Sequence, residues 1–317
     1  MTATLPVESL EAGPPAELPA PAARPRRRPP RPRRPRARRE PGGPVAVLSS
    51  ASTMVALVCL WVLFQVLVLS GFSQAREQDL LYERFRQDIA AATASIGPTT
   101  PPGEPVALLS IPRLRISQVV VEGTASGDTL AGPGHLRKTV LPGQVGTSVV
   151  MGRAVTYGGP FGDLDELVVG DEITVRMAQG EVSFDVVNIR RAGDPYSQPL
   201  AAGAARLTLQ TAEGDGRLAA LTPNEVLYVD ADAPKGFVPP SGLPTAVPTP
   251  ELLMERDTGA FPLLALHLAL LLAAALGVVA ARQRWPAALV WVVAAPVALA
   301  LAWSTTDVVM RLLPNVM

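Results

Sequence analysis

Three long apolar segments divide the chain. They run from about Val45 to Phe72, from about Phe261 to Ala281 and from about Ala287 to Trp303. A helix of about 20 apolar residues crosses the roughly 30 Å of bilayer hydrocarbon, and the third segment is near the lower limit of that length. The pattern therefore predicts three transmembrane helices, at residues 45–72, 259–281 and 287–303.

Residues 106–233 show a different pattern, in which short runs of β-branched residues are separated by Gly, Pro and Asp. Runs of this length and spacing are typical of strands in an all-β barrel or sandwich. The predicted strands are Val106–Ile111, Gln118–Val121, Thr147–Met151, Glu172–Arg176, Val182–Val187, Arg206–Thr211 and Glu225–Asp230. We therefore expect a mainly β domain at 106–233.

The segments between these blocks are polar or rich in proline. Residues 1–44 have few large apolar side chains and predict a disordered cytoplasmic tail. Residues 73–105 predict a stalk helix, with Leu81, Phe85 and Ile89 at four-residue spacing, followed by a Pro-rich linker. Residues 234–258 predict a second Pro-rich linker, and residues 304–317 a short extracellular tail.

Charge is distributed unevenly along a chain of zero net charge. The segment before Val45 holds ten arginines against four glutamates, and Arg282 and Arg284 lie between the second and third apolar segments. Positive charge in short flanking loops tends to stay in the cytoplasm. The sequence therefore predicts a multi-pass protein of the cell membrane, with a cytoplasmic N-terminus and an extracellular β domain.

The basic tail and the first apolar segment each leave alternatives open. The tail could bind anionic membrane lipid or could only set the topology, and nucleic-acid binding is not expected because no aromatic residues are interleaved with the arginines. Ser73-Gln74-Ala75 would fit a signal-peptide cleavage site, but the apolar stretch exceeds the length of a signal peptide, so an uncleaved anchor is favoured. The single cysteine, Cys59, excludes an intramolecular disulfide.

Several motifs of the β domain resemble, in the same order, those of the sortase family, the membrane-anchored cysteine transpeptidases of bacterial surfaces. The similarity is to the class E-like sortases of actinobacteria. The motifs are Ile111-Pro112-Arg113-Leu114-Arg115-Ile116, Val119-Val120-Val121-Glu122-Gly123, Gly132-Pro133-Gly134-His135, Leu141-Pro142-Gly143-Gln144-Val145-Gly146, Tyr157-Gly158-Gly159-Pro160-Phe161 and Leu207-Thr208-Leu209-Gln210-Thr211-Ala212. The resemblance implies a closed sortase-like β-barrel.

The resemblance also implies a chemistry. In an active sortase a cysteine thiolate attacks the Thr–Gly carbonyl of a Leu-Pro-x-Thr-Gly type sorting signal. A histidine transfers protons, and an arginine stabilises the oxyanion. Such a reaction needs a nucleophile, an acid–base group with a pKa near neutrality and positive charge where the oxyanion forms.

All three of these positions are occupied by other residues in this chain. The histidine position is Arg153, the cysteine position is Ala212, and the arginine that begins the last strand is replaced near Glu225. An arginine stays protonated in proteins, and alanine has no reactive atom. The sequence therefore predicts a pseudosortase with no catalytic residues, no cofactor and no metal site.

The former groove remains a candidate ligand site. Its predicted residues are Arg153, Thr211, Ala212, Glu213, Asp215 and Arg217. Arg153 could pair with a carboxylate such as Glu213 or Asp215, or could present its charge to a peptide carboxylate or a glycan acid. Because neighbouring strand residues point to opposite faces, Thr211 is expected to face away if Ala212 faces the groove.

Three functions stay open on this sequence. The favoured one is a binding or scaffolding module for a cell-surface protein, a sorting-signal peptide or another envelope component. The alternative is a cysteine-independent hydrolase or transpeptidase acting on sorting signals, although the only extracellular histidine, His135, is interpreted as a surface turn residue. The third is a subunit of a membrane complex.

Overall fold

Eight strands form the core of the computed structural model, which describes residues 59–97, 99–214 and 225–317. The strands are β1 (Pro105–Ile111), β2 (Ile116–Glu122), β3 (Gly134–His135), β4 (Gly146–Met151), β5 (Glu172–Met177), β6 (Gly180–Arg190), β7 (Ala205–Glu213) and β8 (Glu225–Ala233). Each of the seven predicted strands lies within one of these elements. The strand that the pattern misses is β3, because two residues are too short to show an alternation.

The strands close into a barrel in the order β1-β2-β3-β4-β7-β8-β6-β5, which decides between the barrel and the sandwich. The pairs β2–β3 and β4–β7 are parallel, and the others are antiparallel. Side chains that alternate along each strand fill the interior. Leu109 and Ile111 of β1, and Leu207 and Leu209 of β7, are fully buried in one cluster with Phe184.

The predicted stalk helix lies against the outside of this barrel. Helix α1 (Ser70–Ala90) follows a π-helical turn at Gln65–Leu69. Leu81 packs against β2 residues, and the Gln78 side chain accepts a hydrogen bond from the Val119 N–H at 2.7 Å and donates to the Val119 carbonyl at 3.1 Å. The helix is therefore docked on the barrel.

Two helices of the described residues, not three, are long and apolar enough to cross a membrane, at Thr258–Arg282 and Ala288–Arg311. They correspond to α2 (Phe261–Arg282) and α3 (Ala287–Arg311). The first predicted span begins at Val45, and most of it lies outside the described residues, as does the predicted tail at 1–44. Its described end, from Cys59 onward, is helical and leads into α1.

Helix α3 continues eight residues beyond the predicted end of the third span at residue 303. The hydroxyl of Thr305 donates to the Leu301 carbonyl, and that of Thr306 donates to the Ala302 carbonyl at 2.9 Å. Hydroxyls that bond back to the preceding turn allow polar residues to continue a helix. The residues predicted to form an extracellular tail therefore begin as helix and then turn onto the barrel.

Candidate functional site

Parallel pairing of β4 with β7 brings the two principal candidate positions to the same end of the barrel. Met151 is paired with Gln210, so Arg153 and Ala212 follow the last paired residues of the two strands. The Gly152 N–H donates to the Gln210 carbonyl at 3.0 Å, and the Thr211 hydroxyl donates to the Gly152 carbonyl at 3.1 Å. The sheet itself therefore assembles the site.

Gly152 allows the chain to make this approach. A Cβ atom on Gly152 would lie 2.4 Å from the Phe161 ring, which is fully buried in the barrel core. No side chain fits at that distance without displacing the ring. Gly152, which precedes the predicted histidine position, is therefore required for packing.

The Arg153 side chain is completely buried. One terminal nitrogen, Nη2, donates to the carbonyl and the hydroxyl of Ser126, both at 2.8 Å. The other, Nη1, donates to the Thr156 hydroxyl at 2.9 Å and to the Met317 carbonyl at 3.4 Å. Burial lowers the pKa of the guanidinium to about 10, so it stays charged at neutral pH.

The predicted ion pair between Arg153 and Glu213 is not formed. Glu213 accepts two hydrogen bonds from Arg191, each at 2.7 Å, instead of pairing with Arg153. Arg153 is completely buried, and its hydrogen-bond partners are Ser126, Thr156 and a backbone oxygen of Met317. The other predicted partner, Asp215, lies outside the described residues, as does Arg217.

Ala212 lies in a small apolar cluster outside the barrel core. It packs with Leu136, Met151 and Val316. A cavity of about 260 Å³ adjoins this cluster, and both Thr211 and Ala212 line it.

The third vacant position, Glu225, lies at the start of β8 opposite Glu213. Its side chain is exposed. A positive charge nevertheless lies close by, because Arg191 follows the last residue of β6. The hydrogen bond to Glu213 and then the charges of Glu213 and Glu225 raise the pKa of Arg191. Arg191, from the loop after β6, therefore contacts Glu213, which lies opposite Glu225.

Sequence reasoning missed the segment that covers the site. The Val316 carbonyl accepts hydrogen bonds from the Ala154 N–H at 3.1 Å and the Ala212 N–H at 3.4 Å. The Thr156 hydroxyl donates to the Met317 carbonyl at 2.6 Å. The signal that could have indicated this segment is its Leu-Pro pair, Leu313-Pro314.

His135 is not a surface residue, contrary to the prediction. Its ring is buried, with Nδ1 2.9 Å from the Glu122 carboxylate. Nε2 is 2.8 Å from the Val140 carbonyl and 3.0 Å from the Thr139 hydroxyl. The reason is that β3, which carries His135, lies between β2 and β4 in the sheet. With both ring nitrogens engaged, His135 is a structural residue.

Known proteins are similar to this chain in sequence. Residues 109–222 match the family model of the sortase domain, and that range includes Arg153 and Ala212. Sortase D of Bacillus subtilis (strain 168) is 29% identical over 103 residues, which are 32% of this chain and 50% of that protein. The chain thus spans about half the length of this curated relative.

Solved sortase structures are also similar. A Clostridium perfringens Sortase D5 transpeptidase is 19% identical, with a TM-score of 0.39, over 50% of this chain and 97% of that one. The SrtF sortase from Corynebacterium diphtheriae is 23% identical, with a TM-score of 0.38, over 48% of this chain and 94% of that one. The match to the family model and to Sortase D therefore shows that residues 109–222 of this chain are similar to the sortase domain.

Proposed function

We propose that this chain is a membrane-anchored, extracellular sortase-like domain without transpeptidase chemistry, which acts as a binding or scaffolding module for a cell-surface protein or another envelope component. The observation that carries the proposal is the state of Arg153. This residue, predicted at the acid–base position, is fully buried and donates four hydrogen bonds to oxygens of Ser126, Thr156 and Met317, which supports a structural role and not proton transfer.

The nucleophile position supports the same conclusion. Ala212 offers no reactive atom, and the nearest hydroxyl, that of Thr211, donates to the Gly152 carbonyl. A hydroxyl nucleophile needs an adjacent base within hydrogen-bond reach. Both ring nitrogens of His135 are occupied by other partners. The contacts therefore do not favour a cysteine-independent hydrolase.

The helices support attachment to a membrane with the barrel outside the cell. The Asp257 N–H, before α2, donates to the carbonyl of Arg311, at the end of α3, at 3.0 Å, so both helices join the barrel at the same end of their hairpin. The turn with Arg282 and Arg284 is at the opposite end. Positive charge favours the cytoplasm for that turn.

The first experiment tests for cleavage. The full-length chain in detergent micelles is incubated with a fluorogenic Leu-Pro-x-Thr-Gly peptide, beside an active sortase as the positive control. We expect no cleavage by the chain. Cleavage of the peptide by the wild-type chain would contradict the proposal. If the cleavage persists in an Ala212→Gly variant, it does not depend on the side chain at position 212, which would support the cysteine-independent enzyme.

The second experiment tests for a partner. A photocrosslinking amino acid replaces Asp165, which lines the cavity, or Val238, which is 79% exposed and lies outside the cavity lining. In intact cells we expect the Asp165 site to crosslink to a defined surface or envelope protein and the Val238 site not to. Identical adducts at the two sites would contradict a binding role for the groove.

A further inference from the structure

The segment Leu313–Met317, here called the seated segment, occupies the vacated site of the barrel. Three successive carbonyl oxygens of this segment accept hydrogen bonds from barrel residues. The Thr129 hydroxyl donates to Asn315 at 2.8 Å, the N–H groups of Ala154 and Ala212 donate to Val316, and Thr156 and Arg153 donate to Met317. Main-chain bonds of this kind are how a groove holds a peptide.

The side chains of the seated segment are held as firmly as its backbone. Val316 is fully buried against Leu136, Met151 and Ala212. The Asn315 amide donates to the Thr124 carbonyl at 2.7 Å and to the Leu252 carbonyl at 2.9 Å. The Met317 N–H donates to the Pro314 carbonyl at 3.3 Å, so the segment binds as a turn and not as an added strand.

The sequence of the seated segment is similar to a sorting signal. It reads Leu313-Pro314-Asn315-Val316-Met317. A signal of the type Leu-Pro-x-Thr-Gly shares the Leu-Pro pair, and valine has nearly the shape of threonine without its hydroxyl. The carbonyl of Val316, at the threonine position, is the one that accepts from the N–H of Ala212, the residue at the nucleophile position.

We propose that the seated segment is a cis ligand of the groove: a sorting-signal mimic, built into the chain, that binds where a substrate would be cleaved. The proposal deepens the binding role proposed above and rests on it. Arg153 is then not a remnant of catalysis but a docking residue, since its Nη1 donates to Met317 while its Nη2 is anchored on Ser126. While the segment is seated, the position beside Ala212 is closed to sorting-signal peptides in trans, whereas the cavity beside Asp165 stays open.

Because the seated segment belongs to the same chain as the groove, its binding is stronger than that of a free peptide. A tethered ligand acts at an effective concentration in the millimolar range, which a free peptide of similar affinity does not reach. The seated segment follows α3 directly, so its release would also free the end of that helix from the barrel. The groove should therefore open only when the segment's own contacts are weakened.

The first test measures whether the segment is seated in the full-length chain. Both variants are made in a Cys59→Ser background. Val316→Cys places the single thiol in the seated segment, and Val238→Cys, at a 79% exposed position, is the control. We expect maleimide to label the Val316→Cys chain at least about 100-fold more slowly, because a buried thiol reacts only after local opening. Labelling of the two thiols within about threefold of each other would overturn the proposal.

The second test removes hydrogen bonds that hold the seated segment and leaves the apolar core of the barrel unchanged. Asn315→Ala removes two hydrogen bonds. Thr156→Val removes the one to Met317 and the one that its hydroxyl accepts from Arg153. Each variant should accelerate labelling at Val316→Cys by about tenfold. Thr147→Val, at an exposed position of β4, is the matched control and should leave the rate unchanged. If neither Asn315→Ala nor Thr156→Val changes the rate, the segment is held by contacts other than those proposed.

The third test asks whether the segment closes the groove. Fluorescence anisotropy follows binding of a labelled Leu-Pro-x-Thr-Gly peptide to the wild-type full-length chain and to its Asn315→Ala variant. We expect binding to the variant at least about tenfold tighter than to the wild type. Equal affinity would overturn the closure of the groove.

The experiments distinguish failure of the cis-ligand proposal from failure of the proposed binding role. If the thiol at position 316 is freely labelled but the photocrosslinker at Asp165 still captures an envelope protein, the cis ligand is wrong and the binding module stands. If the thiol is protected and the crosslinker captures nothing, the segment is a structural strap and the proposed partner function is wrong.

Discussion

The backbone N–H of Ala212 donates a hydrogen bond to the carbonyl oxygen of Val316 at 3.4 Å. The residue that the sequence predicts at the nucleophile position therefore binds a carbonyl of the same chain. Arg153 donates to the next carbonyl of the same segment, that of Met317. Both residues contact the same segment, which gives them a shared structural role.

Enlarging Ala212 should displace the occupant. Ala212→Leu adds three heavy atoms to a cluster that Val316 already fills, and overpacking of this kind costs about 1–3 kcal/mol. Because the cluster is separate from the barrel core, the strain is relieved by release of the segment. We expect the Ala154 amide, which donates to Val316, to exchange with deuterium about tenfold faster or more.

The matched control is Ala201→Leu, at an exposed loop position. It should leave the exchange of the Ala154 amide unchanged. Exchange of that amide at the wild-type rate in Ala212→Leu would show that the site can accommodate the larger side chain with the segment in place.

Replacing Arg153 by lysine should destabilise the barrel. An ammonium is more strongly hydrated than a guanidinium and cannot reach both Ser126 and Thr156, so burial without a carboxylate costs it more. We expect the free energy of unfolding in detergent to fall by about 2–3 kcal/mol at pH 7. Arg176→Lys, at an exposed position of β5, should change it by less than about 0.5 kcal/mol.

The Arg153→Lys variant should also acquire a pH dependence. Burial is expected to lower the pKa of the introduced ammonium in the folded state below its pKa in the unfolded state. Between those two pKa values the unfolded state binds more protons, so stability should rise with pH through that window. A flat profile from about pH 7 to 10, relative to Arg176→Lys, would mean that the lysine reaches solvent.

The docking of helix α1 on the barrel should depend on one glutamine, Gln78. The side chain of Gln78 bonds to both backbone groups of Val119 and donates to the Ala131 carbonyl at 2.8 Å. Gln78→Leu leaves three buried backbone groups without partners, so we expect a loss of about 2–4 kcal/mol in the free energy of unfolding. Gln87→Leu, at an exposed position of the same helix, is the control. Equal denaturant midpoints for the two variants would contradict the prediction.

Asp128 should make stability fall as pH rises. Burial, and then the charge of Glu251, raise the pKa of Asp128 to about 6, although a backbone hydrogen bond from Ala125 and the charges of Arg137 and Arg311 oppose the shift. The folded state then binds more protons than the unfolded state between about pH 4 and 6, so stability decreases through that window and is level above it.

Asp128→Asn should remove this slope. Relative to the wild type, the variant should gain about 1–2 kcal/mol on going from pH 4 to pH 7, since one pKa unit corresponds to about 1.4 kcal/mol and partial exposure reduces the effect. Asp185→Asn, at an exposed position of β6, should follow the wild-type profile. Parallel profiles for all three chains, measured by thermal unfolding, would exclude Asp128 as the titrating group.

The strands were readable from the sequence because their pattern is local. Alternation of apolar residues such as Leu207 and Leu209 reports which face of a strand is buried, whatever its partners. The barrel closure was not readable from alternation, since a sandwich strand has the same pattern. It depends on β1 pairing with both β2 and β5. His135 was misplaced for the same reason, because its short strand is defined only by its neighbours.

The sequence by itself determined that this chain has a sortase-like β domain between apolar segments, because a short-range pattern is enough to settle that point. Only the tertiary structure decided what Arg153 and Ala212 contact. Arg153 donates a hydrogen bond to Met317, which is 164 residues later in the chain. Ala212 packs against Val316, which is also far from it in sequence. Such contacts arise from how the barrel and α3 are brought together, which no local pattern records.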